Sequence, residues 1–188
     1  MNGSARSLSL AFGAACAILC GCATTVVRKE SANPAIAEAL LDHERGTSVQ
    51  MAEGAWKDEA FAAECVLKGD GERFTAVLLA PQVRLATLTL ERPHTVRWER
   101  APQIPAALDP ERVMIDVALV RLPTDALARA LGEGFRVDET PDGKRRRVVD
   151  AESGKLCSVR QLLPDGGVYF RNARYGYEFT VRTVTDED

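Results

Sequence analysis

The sequence predicts an α+β protein built on a strongly curved antiparallel sheet, and three features point there. Apolar residues recur at every second position in two separate blocks of the chain. Between the blocks the period lengthens to that of a helix, with Asp-Pro and Pro-Thr marking helix starts. Turn signals such as "KGDGER", "DAESGK" and "PDGG" separate the alternating runs, as hairpins require. Strands, a helical insert and strands again give an α+β order in which the helices cover one mouth or face of the sheet.

The elements follow in order. Asn33 and Pro34 open a short helix over "AIAEALLDHERG", with Asn33 as N-cap, Pro34 at the first helical position and Gly46 after the end. Phe61, Ala63, Cys65 and Leu67 then fall on one face of a strand, and Phe74, Ala76 and Leu78 on one face of the return strand. "RLATLTLE" and "HTVRWER" add two strands, the second with Val96 and Trp98 on one side and Arg97 and Glu99 on the other. Asp109 and Pro110 start a helix on which Val113, Val117 and Val120 share a face, ended by Leu122-Pro123. "PTDALARALG" is a second short helix stopped by Gly132, and strands resume from Lys144, closing with "YGYEFTVRTV".

The amino-terminal stretch reads as an address. "LSLAFGAACAIL" is an uncharged apolar run behind Arg6, too short to span a bilayer as a helix and shaped as an export signal. Leu19-Cys20-Gly21-Cys22 then reads as a lipobox, with Gly21 before the cut and Cys22 as the residue to be acylated. Cys20 cannot take that role, because Leu19 would sit where a small residue is needed. Residues 1–21 are therefore expected to be a lipoprotein signal, 22–46 a lipidated terminus, polar tether ("ATTVVRKESANP") and short helix, and 47–188 the folded domain. Several acyl chains on one terminus anchor almost permanently, since each buried methylene contributes about 0.8 kcal/mol. Ala23 rather than Asp after the acylated cysteine favours the outer membrane, with the domain on its periplasmic side.

Composition narrows the rest. Arg6 is the only charged side chain in the expected signal, so the mature chain carries 23 basic against 27 acidic residues, a balance unsuited to nucleic acid. Cys65 and Cys157 remain, either bridged or separately buried as small apolar residues. His43 and His94 are far apart in sequence, and His94 follows Arg92-Pro93 as a turn histidine. With no Gly-x-Ser-x-Gly elbow, P-loop or His-Glu-x-x-His motif, neither catalysis nor a cofactor or metal is expected. Lys144 to Arg147 either hold an anionic headgroup or form a solvated edge, and Asp116 either marks the wet side of its helix or pairs with one of those arginines.

The turn at Pro81, the segment "IPAALDPERVMIDVALVRLPTDALARAL", the arginines 145 to 147 and a closing Asn-x-x-x-Gly-Tyr (Asn172, Gly176, Tyr177) resemble an uncharacterised family of proteobacterial outer-membrane lipoproteins. Members are often encoded beside genes for aryl polyene pigments and look like relatives of LolB, the lipoprotein receptor. The resemblance spans residues 47 to 184. This chain has Leu122-Pro123 where the family often has Trp-Pro, and Gln82-Val83 where the LolB-like turn carries an aliphatic tip and Gly. The resemblance implies a half-open β-barrel of the LolA/LolB kind, wrapped over short helices around an apolar cavity for acyl chains.

On that reading the inward positions Phe61, Leu67, Phe74, Leu78, Leu88, Trp98, Val117 and Leu127 line a lipid cavity, while in a scaffold they fill a core; both require the same alternation. The expected function is that of a lipid-anchored carrier or chaperone for acyl, polyene or lipoprotein cargo. The alternative is a structural lipoprotein that works through envelope protein partners.

Overall fold

The structure, a computed structural model, describes residues 25–56, 59–80, 83–102 and 109–184. Cys22, Pro81 and Gln82, which carried parts of the sequence reading, lie outside the described residues.

Eleven strands form one antiparallel sheet. In chain order they are β1 (Thr25–Glu30), β2 (Gly46–Trp56), β3 (Glu59–Gly69), β4 (Arg73–Ala80), β5 (Val83–Glu91), β6 (Thr95–Arg100), β7 (Phe135–Glu139), β8 (Arg145–Asp150), β9 (Leu156–Leu162), β10 (Val168–Asn172) and β11 (Tyr177–Thr183). Among the described residues three helices accompany them: α1 (Pro34–His43), α2 (Pro110–Arg121) and α3 (Thr124–Leu131). Strands β2 to β6 make one meander and β7 to β11 another, and the β2–β11 pairing welds the two. Strand β1 comes back to pair with β6, so β1 and β7 are the outer strands. They do not pair with each other, and the sheet is curved but not closed.

The curvature follows from what α2 touches. This helix packs against both β5 and β9, which stand six places apart in the sheet. In a flat sheet they would be close to 30 Å apart at about 4.8 Å per strand, so the sheet must bend around the helix. The concave face receives Phe74, Leu88, Leu90, Val96 and Trp98 from the first meander and Val148 and Phe170 from the second. Leu40 and Leu41 of α1 and Met114 and Ala118 of α2 complete the cluster, each fully buried.

Helix starts follow local chemistry. Asp109 accepts the Glu111 amide hydrogen at 3.1 Å and Pro110 occupies the first turn, as the sequence indicates. Pro34 likewise opens α1, but the Asn33 side chain does not cap it. It donates instead to the buried Glu111 carboxylate at 3.1 Å, which also accepts from Ser31 Oγ at 3.0 Å and the Ala32 amide at 3.1 Å. One carboxylate thus ties the entry of α1 to the first turn of α2.

Strand alternation defines two ends. The start of β1, the ends of β2 and β4, the starts of β3 and β5 and the 151–155 and 173–176 turns share one end, here the mouth end. The turns at 70–72, 92–94, 140–144 and 163–167 share the other.

Several expectations are corrected. Residues 25–30 are a β-strand paired with β6 rather than part of a polar tether. Strand β1 and helix α1 pack with the same sheet, and Gly46 is the first residue of β2. Strands β2 and β7 lacked an apolar pattern large enough to be read. The buried face of α2 is Glu111, Met114 and Ala118 with Leu119 and Val120, whereas Val113 and Val117 are only half-buried.

Candidate functional site

The concave face carries an aromatic row. Pairing register places Phe61 of β3 opposite Gly54 of β2, Gly54 opposite Phe179 of β11, and Phe179 opposite Phe170 of β10. Phe61 and Phe179 meet edge to face across Gly54 with centroids 6.5 Å apart, and Phe170 and Phe179 are 5.0 Å apart. Gly54 makes the crossing possible: a Cβ there would sit 2.2 Å from the Glu178 carbonyl oxygen and 2.6 Å from Phe179 Cβ. The row grades from 38% exposed at Phe61, through half-buried Phe179, to fully buried Phe170. It is an apolar ramp from the surface into the core.

Beside it lies a polar junction. Asp116 of α2 accepts from the Tyr177 hydroxyl at the start of β11 and from Asn172 Nδ2, at the end of β10, at 2.9 Å. Asn172 Nδ2 also reaches the Tyr177 hydroxyl at 3.0 Å, and Arg112 Nε donates to that hydroxyl at 3.3 Å. The Arg112 guanidinium stacks over Tyr175 at 3.8 Å and Tyr177 at 4.6 Å. Burial pushes the Asp116 carboxyl up to about 6 against the pull of its two donors and Arg112. Burial, then the Asp116 charge, raises the Tyr177 phenol. A cleft of about 270 Å³ opens on this junction and is also lined by Lys29, Asn33 and Tyr175. The cluster latches α2 to the mouth end of β10 and β11.

The far end of α2 is held by arginines. Arg146, 3% exposed, donates to the Leu122 carbonyl at 2.6 Å and also to that of Leu119, while Arg160 Nε donates to the Val120 carbonyl at 3.0 Å. These carbonyls lack partners within the helix and carry its negative dipole end, so guanidinium groups complement them. Burial pushes Arg146 down to about 10. Arg121 and the buried Glu44 close the same end with bonds of 3.0 and 2.8 Å.

Measured against the sequence reading, Leu67, Phe74, Leu88, Trp98 and Leu127 come together in the core at no more than 5% exposure. Leu78 and Val117 are half-buried against it, and Phe61 stands at the exposed end of the ramp rather than inside a cavity. Cys65 and Cys157 are free thiols, with β2, β11 and β10 between their strands, so no bridge joins them. Asp116 pairs with Tyr177 and Asn172, not with an arginine of residues 144–147. In that run Arg145 and Arg147 face water while Arg146 turns inward, and β8 is an inner strand flanked by β7 and β9. His94 lies in the β5–β6 turn. The junction was not assembled from sequence because its members are 56 and 61 residues apart; Asp116 within an apolar helix and the Asn-x-x-x-Gly-Tyr spacing were its traces.

Fold and site together define a half-open antiparallel barrel whose helices are latched over the concave face by polar groups. Residues 47–185 match the model of a family described as protein of unknown function, DUF3261, and the chain belongs to that family. No curated protein sequence matches it. Among solved structures it is similar to a DUF1329 family protein from Desulfovibrio piger, at 7% identity and a TM-score of 0.37. It is also similar to a LolA superfamily protein from Nitrosomonas europaea, at 9% identity and a TM-score of 0.35. Each comparison covers 84% of this chain and 92% of the other.

Proposed function

We propose that this chain is a lipid-anchored outer-membrane lipoprotein that binds acyl or polyene chains at the periplasmic face without catalysing a reaction on them. The observation that carries the proposal is the aromatic ramp Phe61–Phe179–Phe170, whose outer end is open to solvent and whose inner end joins the core. Aromatic faces in a row suit an extended hydrocarbon, and partial exposure leaves apolar area for a ligand to cover. The lipobox around Cys22 supports the anchor. Replacing Cys22 with Ser should abolish palmitate labelling and release the protein from the membrane fraction, and continued labelling would sink the anchor. Native mass spectrometry of the chain purified from envelopes tests the cargo. An additional non-covalent lipid mass, lost in Phe179→Ser while the fold persists, is expected. A strictly unliganded species that also ignores a fluorescent fatty acid would overturn the carrier.

A second reading has its own support. Five of the eight inward positions are packed at no more than 5% exposure, as in a scaffold with a filled core. Recovery of a defined envelope protein from intact cells, without lipid, would favour that reading.

A further inference from the structure

We infer that the mouth end of the barrel is a membrane-docking surface that rests on phospholipid headgroups, so that the aromatic ramp opens toward the bilayer. The orientation rests on the proposed acylation of Cys22. Only Ala23 and Thr24 separate Cys22 from Thr25, the first residue of β1. Three residue steps reach about 10 Å when fully extended, so an acylated Cys22 holds the start of β1 at the headgroup layer. Strand alternation puts the ends of β2 and β4, the starts of β3 and β5, and the β8–β9 and β10–β11 turns at that same end.

Exposed side chains follow the same division. Of the eight large apolar residues exposed among the described residues, Val26, Phe61, Val83, Leu156 and Tyr175 belong to the mouth end, while Val27 stands mid-strand opposite Trp98. Leu162, at the end of β9, and Val184, just past β11, belong to the other. Three of the five mouth residues also have an exposed basic neighbour in sequence: Val83 beside Arg84, Leu156 beside Lys155 and Tyr175 beside Arg174. An apolar tip enters the boundary between headgroups and acyl chains while a neighbouring cation stays on the phosphates. The partner these pairs fit is a phospholipid surface with anionic character.

The test uses the full chain, purified from membranes with Cys65 and Cys157 replaced by Ala. Single substitutions Val83→Cys, Leu156→Cys, Tyr175→Cys and, as the opposite-end control, Leu162→Cys carry a fluorescent label. Each protein is placed on vesicles of phosphatidylethanolamine and phosphatidylglycerol containing a chain-quenching lipid. Loss of emission at 83, 156 and 175 with none at 162 is the expected result. No loss at those three positions, or equal loss at all four, overturns the docking surface. The intact mass reports the anchor separately. An acylated chain without quenching fails the surface alone, whereas a chain lacking acyl groups fails the anchor, and the same labels on a background that also carries Cys16→Ser, Cys20→Ser and Cys22→Ser then decide the surface.

Discussion

The Asp116 carboxylate on α2 accepts a hydrogen bond from the Tyr177 hydroxyl at the first residue of β11, 61 residues away in the chain. Because Tyr177 also receives Arg112 Nε at 3.3 Å and Asn172 Nδ2 at 3.0 Å, one hydroxyl organises the contact between helix and sheet. Tyr177→Phe keeps the ring and removes that hydroxyl, leaving Asp116 with Asn172 as its remaining donor. A loss of about 1–3 kcal/mol is expected, the cost of an under-satisfied, partly buried polar group. Urea unfolding measures it, and an unchanged midpoint would show that the latch does not bear on stability.

Asp116 also sets a pH dependence. Its folded-state value, pushed up to about 6, lies above its ordinary 3.8. The associated stability is therefore complete below about pH 3.8 and is lost as pH rises through 6. At neutral pH the buried charge costs about 3 kcal/mol relative to acid. Asp116→Asn should gain on the wild type by up to that amount between pH 4 and 7, with the difference flat above. Taking the difference removes the opposing contribution of the carboxyls held low by their own donors, Asp70 and Asp165 among them. A constant difference across the range would overturn the assignment.

Arg146 is buried for the sake of the α2 carboxyl end. Arg146→Met fills similar volume but leaves the Leu119 and Leu122 carbonyls without their charged donor. A loss of about 2–4 kcal/mol is expected. Hydrogen exchange should localise it, with amides in the last turn of α2 losing protection before those of β5. Uniform loss throughout the sheet would mean that the arginine does not act through the helix end.

At Gly54, as at Gly69, close approach of another backbone segment leaves no room for a side chain. With a Cβ 2.2 Å from the Glu178 oxygen, Gly54→Ala must displace β2 from β11. A destabilisation of about 1–3 kcal/mol is expected, along with changed chemical shifts at Phe61 and Phe179. Wild-type shifts at both rings would show that the row does not depend on the glycine.

Thiol reactivity separates free cysteines from a bridge. Unreduced, denatured protein should yield two reactive thiols from Cys65 and Cys157, which are free in the fold. In the native state Cys65 should react slowly, because burial, then the Glu64 charge, pushes its thiol up to about 11 and leaves little thiolate. The absence of reactive thiol in the denatured chain would restore the bridge.

Amino-acid order alone determined the strands that bury large side chains on alternate positions. Phe74 and Ala76, Leu88 and Leu90, and Val96 and Trp98 write their inward face directly. It also determined the helix starts at Pro34 and Asp109-Pro110, where φ preference and local hydrogen bonding act within a few residues. Strand β2 escaped because its inward residues are Ser48, Gln50, Ala52 and Gly54, small or polar positions, with Phe179 and Phe61 meeting across Gly54. Strand β1 escaped because it is an outer strand exposed on every residue, so water imposes no alternation on it. Only the tertiary structure decided that Asp116 meets Tyr177 and Asn172, that Arg146 turns in to α2, and that Cys65 and Cys157 stay apart. Each depends on the welding of two meanders through β2 and β11, a pairing between segments more than a hundred residues apart that no local pattern encodes.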